Sequence, residues 1–307
     1  MAKLNTLNHS PTHRVLIFGG PKTGKSQLAG ELSEYYNLIW VDMENGHEVL
    51  FKLPTAWQER IELIALPDTR SYPIAIETVL KMVKGKVSIC EEHGKVGCMV
   101  CKRAAKDTEG EAGATVEVDL PSLGHNDVVV FDSLTQLSNS AIAFITKNEP
   151  DDYKLDYNDW GNLGKLLDIF LSHIQQAGYN VIVISHEIEA ETEGKKKTLV
   201  PVGGTRNFSR NIAKYFDHVV YAERKNKKHV FASSTGYATN ILTGSRTDAI
   251  MEGSEKPSLL TIFKPELYPS IDKRSSKTAV TATPTTKTST QKASSILERL
   301  KNKGKVT

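Results

Sequence analysis

Short runs of β-branched and aliphatic residues recur along the chain, each closed by a polar residue or a glycine. Arg14-Val15-Leu16-Ile17-Phe18, Leu38-Ile39-Trp40-Val41-Asp42, Asp127-Val128-Val129-Val130-Phe131-Asp132 and Asn180-Val181-Ile182-Val183-Ile184-Ser185 are apolar at consecutive positions rather than alternate ones. Such runs belong to strands covered on both faces. Strands are assigned on this pattern to 14–18, 38–42, 61–66, 127–132, 179–185, 218–223, 229–234 and 258–263. Elsewhere the apolar period changes to that of a helix. Leu163, Leu167, Phe170 and Ile174 form one stripe, which predicts a helix over about 158–177, and a second helical stretch runs from Lys25 to about Tyr35. Strands interleaved with helices predict an α/β fold with a mostly parallel central sheet flanked by helices.

Charge divides the chain unevenly. The net charge of its 307 residues is +3, yet residues 271–307 alone carry +7, which leaves the first 270 at −4. From Ser275 to Ser295 the sequence is mostly Ser, Thr, Lys and Ala, too poor in apolar side chains to offset the entropy of folding. The expected organisation is an N-terminal arm over 1–12, a folded domain over 13–270 and a disordered basic tail over 271–307. The tail ends in Ser295-Ile296-Leu297-Glu298-Arg299-Leu300, where Ser295 and Glu298 have capping-box spacing. That short helix could dock on a protein partner or DNA, or the tail could serve solubility alone. No run of about 18 apolar residues suits a membrane span. The opening Met1-Ala2-Lys3-Leu4-Asn5 lacks the apolar stretch of a leader, so a cytoplasmic location is expected.

Candidate chemistry begins where the first strand ends. Gly19-Gly20-Pro21-Lys22-Thr23-Gly24-Lys25-Ser26 fits G-x-x-x-x-G-K-[ST], in the required order of strand, loop and helix. In such a loop the glycines let backbone N–H groups close around nucleotide phosphates, with Lys25 on the β- and γ-oxygens and Ser26 on Mg²⁺. Gln27 follows directly and joins the candidate ATP-binding set. Asp132, ending the 127–132 strand, is the expected second Mg²⁺ ligand. The 38–42 strand ends in Asp42, with Glu44 two residues on; while the chain stays extended both point the same way. Glu44 is the candidate general base and Asp42 a second nucleotide-site residue, unless the two only cap the turn before Gly46. At the end of the 179–185 strand, Ser185 or His186 is placed to sense the γ-phosphate.

The cysteines form a second constellation. Cys90, His93, Cys98 and Cys101 read C-x2-H-x4-C-x2-C, two knuckles with Gly94 and Gly97 between them. Four such ligands can close tetrahedrally on Zn²⁺ and leave no open position, so a structural site is expected. It lies in an insertion over about 86–124, flanked by Lys84, Lys86, Lys95, Lys102 and Arg103. The knuckle could staple a loop too small for its own core, or touch DNA or a neighbouring subunit.

Taken in order, the glycine loop, Val41-Asp42-Met43-Glu44, Val130-Phe131-Asp132-Ser133 and Ile184-Ser185-His186-Glu187 resemble the strand ends of the RecA-like P-loop ATPases. More particularly, residues 11–265 look like the small phage-encoded single-strand annealing and recombination ATPases. Val202-Gly203-Gly204-Thr205-Arg206-Asn207-Phe208, running on through Ile212 to Val220, looks like that family's Gly-Gly turn, helix and strand. The Ser-His pair stands where the bacterial recombinases usually have glutamine. The resemblance implies an ATP-binding and ATP-hydrolysing protein that binds single-stranded DNA and promotes annealing or strand exchange in phage recombination or repair, acting in the host cytoplasm. It implies a mobile DNA loop over Ile188–Val202, with Lys195, Lys196, Lys197, Arg206 and Arg210 as DNA contacts, although Glu187, Glu189, Glu191 and Glu193 nearly cancel the charge there. A second DNA loop over Lys147–Tyr157 would bring Tyr153 and Tyr157, while Trp160 is expected in the core. It also implies a homo-oligomeric ring or filament, with Arg246 a candidate for completing a neighbour's site, and the tail a possible contact for a single-strand-binding or replication protein. The alternatives are a stand-alone P-loop ATPase that remodels or loads a replication or packaging protein, and a nucleotide kinase, for which no Arg-rich lid is apparent.

Overall fold

The computed structural model describes residues 12–101, 114–191, 197–234, 238–247, 251–252, 254 and 256–264, and the backbone of 280–282. The N-terminal arm to residue 11 and Lys102 and Arg103 of the insertion lie outside them. The strands are β1 (Arg14–Gly19), β2 (Asn37–Asp42), β3 (Ile61–Ala65), β4 (Val87–Cys90), β5 (Thr115–Val118), β6 (Asp127–Asp132), β7 (Asn180–Ser185), β8 (Glu187–Glu191), β9 (Lys197–Pro201), β10 (His218–Lys225), β11 (Lys228–Ala232), β12 (Gly244–Ser245) and β13 (Val280–Ala282). The helices are α1 (Lys25–Gly30), α2 (Thr55–Gln58), α3 (Ala75–Lys84), α4 (Leu134–Ile145), α5 (Tyr157–Gln175), α6 (Arg206–Asn211) and α7 (Leu260–Phe263).

The central sheet runs β11-β10-β1-β7-β6-β2-β3, with β12 also on β10. The pairings from β10 to β3 are parallel; β11 and β12 join β10 antiparallel. Consecutive residues of the inner strands face opposite sides and both sides are covered. Leu16, Phe18, Val129, Phe131, Val181 and Val183 pack under α3, α4 and α5. Val15, Ile17, Trp40, Val130 and Ile182 pack with α1, Tyr36 and α7 on the other face. Phe131 meets Phe170 of α5 edge-on, ring centroids 5.0 Å apart; each such fully buried side chain contributes ~1.5–3 kcal/mol.

Caps fix where the helices begin. Ser133 accepts a hydrogen bond from the Gln136 N–H to start α4, and Asp156 with Asp159 forms a capping box at α5. The register then sets the functional edge. Phe18 lies beside Ser185, Ile184 beside Asp132, and Asp132 beside Asp42, so the glycine loop and the polar strand ends gather along one side of the sheet.

Several expectations are corrected. Residues 258–263 are not a strand: Leu260–Phe263 is a helical turn, in which Leu259, Ile262 and Phe263 are buried together at helical spacing. The helical stretch expected from Lys25 to about Tyr35 is present, as an α-helix to Gly30 followed by a 3-10 turn over Glu31–Glu34. Ile188–Val202 is not simply a loop, because β8 and β9 form an antiparallel hairpin. Trp160 is not core; it is 39% exposed, on the first turn of α5. Within the expected disordered tail, Val280–Ala282 pairs antiparallel with β5 and extends the β4–β5 sheet of the insertion. The rest of the tail, with its terminal helix at 295–300, lies outside the described residues.

Candidate functional site

Close packing dictates the glycines of the loop. A Cβ on Gly19 would stand 2.0 Å from the Ala222 carbonyl oxygen of β10, and Gly24 adopts φ +89°. The loop curls around Lys25, which is buried. Its Nζ donates to the carbonyls of Gly19 at 3.0 Å and Gly20 at 2.7 Å. Thr23 Oγ1 donates to the same Gly20 carbonyl at 2.9 Å. Pro21 and Lys22 are exposed at the loop's rim, and Gln27 is exposed and bonded to Glu31 at 3.2 Å. Burial lowers the Lys25 pKa, against the opposing charges of Asp132, Glu44 and Glu187.

The two expected magnesium ligands meet, with Ser26 Oγ donating to Asp132 Oδ2 at 2.9 Å. Burial pushes Asp132 up to about 7; the charges of Glu44 and Asp42 add to this, while the Ser26 bond and Lys25 oppose it. A buried carboxylate among carboxylates favours a bound cation. A hydroxyl and a carboxylate oxygen are the hard donors that Mg²⁺ takes, so the pair fits that ion.

Asp42 and Glu44 part company because β2 ends at Asp42 and the chain turns. Asp42 Oδ1 accepts from the N–H of Glu44 at 3.0 Å and of Gly46 at 3.2 Å. Its Oδ2 takes the His47 N–H at 3.2 Å and the His47 ring at 2.6 Å. Asp42 therefore caps the turn before Gly46, the alternative that its spacing to Glu44 leaves open. Glu44 instead reaches across β6. It accepts from Ser133 Oγ, and its other oxygen lies 3.6 Å from His186 Nε2. Burial alone would raise the Glu44 pKa, but hydrogen bonds from His186 and Ser133 and the charges of His186 and Lys25 outweigh it and hold it below its ordinary value. His186 is itself anchored, its N–H donating to Thr135 Oγ1 at 2.9 Å. Lys25, Ser26, Asp132, Glu44 and His186 thus form one site.

Residues 12–249 match the profile of a family described as AAA domain. The chain belongs to that family. It is an AAA-type P-loop ATPase domain, and the carboxylates and lysine above gather with its glycine loop at one edge of the sheet. Among solved structures, it is similar to an ATPase from the type III secretion system of pathogenic bacteria, at 16% identity and a TM-score of 0.39, over 69% of this chain and 52% of that one. The chain thus spans about half of that ATPase, at a likeness too low to carry functional weight. No curated protein matches the chain.

The AAA domain sets further residues beside this candidate site that the sequence alone did not single out. β10 and β11 form a hairpin that extends past the end of β1, and Asn226 and Lys227 at its tip take positive φ. Its cationic stretch Arg224-Lys225-Asn226-Lys227-Lys228 projects at the glycine-loop edge, and His229 Nδ1 donates to the Thr23 carbonyl at 2.9 Å. A cleft of ≈ 960 Å³ opens between hairpin and loop, lined among others by Gly24, Gln27, Leu28, Lys227, His229 and Phe231. It has the position and size to receive a nucleoside. Joining the strands expected at 218–223 and 229–234 as a hairpin would have disclosed it. Glu187, the last residue of the strand-end motif Ile184-Ser185-His186-Glu187, sits against Gly20.

Among the described residues, those expected at DNA lie about the β8–β9 hairpin and α6. Lys195 and Lys196 lie outside the described residues. Lys197 pairs with Glu189 at 3.1 Å. Arg210 donates to the Glu191 carbonyl and to Asn207 Oδ1, both at 2.8 Å, which ties α6 to the β8–β9 hairpin. Arg206 is exposed at the start of α6. Arg246 pairs with Asp217 at 2.9 Å, beside the start of β10. Because His218 registers with Val15 and Ala222 with Gly19, Arg246 stands at the sheet edge opposite its own P-loop. Among the described residues, no helix of the AAA domain is long and apolar enough to cross a membrane.

The insertion gathers its four candidate ligands. The ligand atoms of Cys90, His93, Cys98 and Cys101 lie within 4.8 Å of one another, and the three cysteines are buried. Cys90 and Cys101 Sγ are 3.0 Å apart, and His93 Nδ1 is 3.3 Å from Cys101 Sγ and 3.5 Å from that of Cys90. Hydrogen bonding with Cys90, burial and the bond to Cys98 push the Cys101 thiol up to about 12, a crowding that a dication relieves. Three thiols and an imidazole at these separations fit Zn²⁺. Gly94 and Gly97 turn the knuckle with φ +61° and +67°, and a Cβ on Gly94 would stand 2.7 Å from Pro67 Cδ.

Proposed function

We propose that this AAA domain binds and hydrolyses ATP and uses the cycle to act on single-stranded DNA, in annealing or strand exchange during recombination or repair. The observation that carries the reading is the convergence of Lys25, the Ser26–Asp132 pair and the Glu44–His186 pair at one strand edge, with His186 leading directly into the β8–β9 hairpin. The loop's N–H groups and Lys25 hold the phosphates. Ser26 and Asp132 would hold Mg²⁺, whose charge would offset that of the phosphates. Glu44, kept ionised, orients the attacking water and draws its proton, while Ser133 and His186 fix the carboxylate's direction.

Support for the DNA half comes from exposed aromatics. Tyr157 is 91% exposed and Trp160 is open on the same turn of α5, offering faces on which bases can stack; Arg206 adds a free cation. The reading includes a homo-oligomer in which Arg246 serves a neighbour's site, a structural zinc in the insertion, and a replication-protein contact through the tail. A second reading, an ATPase that remodels or loads another protein, is favoured by the pairing of Lys197 and Arg210 within the hairpin region. ATP turnover with and without single-stranded DNA, with assembly followed by size, separates the two. Stimulation and assembly on DNA support the first; no DNA binding and no stimulation remove it.

A further inference from the structure

Of the carboxylates around the glycine loop, Glu187 is used neither by the magnesium pair nor by the candidate base. It is the first residue of β8. Its Oε1 lies 3.4 Å from where a Cβ on Gly20 would stand, against the loop backbone. Its Oε2 is buried and has no hydrogen-bond partner. An anionic oxygen withdrawn from water without a donor is a costly arrangement, sustained here by the nearby ammonium of Lys25, on which Glu187 acts together with Asp132 and Glu44. A triphosphate held by the same loop competes for Lys25 and repels this carboxylate at short range. The γ-phosphate adds most to that repulsion, because it brings extra charge to the end of the loop where Lys25 reaches.

Glu187 is also coupled to what lies beyond it. It registers with Pro201, and the ladder continues to Glu191 beside Lys197. The Val202 N–H bonds to the His186 carbonyl at 2.9 Å, and Arg210 holds the Glu191 carbonyl. A shift of Glu187 therefore moves the hairpin against α6.

We propose that Glu187 discriminates between nucleotide states: its carboxylate rests against Gly20, opposes a γ-phosphate, and is expelled with the β8–β9 hairpin when one binds. The proposal rests on the reading of the glycine loop as an ATP site. Glu187→Gln keeps the shape and removes the charge. Affinities of the full chain for ADP and for the non-hydrolysable adenylyl-imidodiphosphate, measured by titration calorimetry, are the first readout. The variant should bind the triphosphate analogue about tenfold more tightly and ADP clearly less changed. Hydrogen exchange of the 187–191 and 197–201 amides is the second. The analogue should accelerate it in the parent, whereas in Glu187→Gln it should be fast with or without nucleotide. Glu189→Gln, exposed further along the hairpin, should leave both nucleotide affinities unchanged. Equal tightening for both nucleotides, no tightening, or parent exchange indifferent to the analogue each overturns the proposal. A parent that binds neither nucleotide overturns the ATP reading itself, a separate outcome.

Discussion

Glu44→Gln removes one charge from the site and little else. Ser133 can still donate to the remaining side-chain oxygen, so the turn capped by Asp42 should keep its shape. What is lost is a carboxylate able to accept a proton from water, and general-base catalysis is worth about 10²–10⁴-fold in rate. That corresponds to ~3–5 kcal/mol of barrier. Steady-state phosphate release at saturating ATP and Mg²⁺ should therefore show kcat falling by that factor. KM should stay the same or decrease, since a negative charge near Lys25 is gone. The pH profile sharpens the test. Glu44 is active when deprotonated, and its pKa is held below the ordinary value of 4.5. Its contribution should be constant through neutral pH and fall away only below that value. A variant retaining kcat within about threefold of the parent would refute the assignment.

Lys25→Ala should abolish nucleotide binding, and hydrolysis preserved in that variant would remove the whole site assignment. Asp42→Ala removes the buried carboxylate that accepts from the N–H groups of residues 44, 46 and 47, and should lower folding stability by ~1–3 kcal/mol in denaturant titration. Metal analysis of the folded chain should find one zinc, and Cys98→Ser should reduce zinc content and thermal stability together. His218 is fully buried and its pKa is lowered to about 4, chiefly by burial. Because the folded state binds this proton less readily, its contribution is intact above ~6.5 and lost as pH falls toward 4. Up to ~3 kcal/mol is at stake, and the pH slope should flatten in His218→Asn.

Much of this site was legible because the parallel sheet places every strand's end at one edge, so a list of strand-ending residues becomes a list of neighbours. The glycine loop, Asp132 and His186 were recoverable that way. Asp42 and Glu44 were separable only by knowing that β2 ends at Asp42, since one more extended residue would have kept them parallel. The 258–263 run misled because four to six apolar residues suit a strand or a helical turn equally well. The β8–β9 hairpin was obscured by charge: Glu187, Glu189 and Glu191 alternate with Ile188 and Ala190, but the resemblance to a mobile loop outweighed that period. The contact of Glu187 with Gly20 could not be read, because it joins segments far apart in sequence.

Gly19 and Ala222 approach so closely that no side chain fits between β1 and β10 at that point. The basic hairpin, which continues β10, and the glycine loop, which continues β1, are consequently fixed to each other and bonded again through His229. The cleft between hairpin and loop is thus built on a frame that the sheet itself holds. A nucleoside entering it would meet a preset wall rather than one that forms around it.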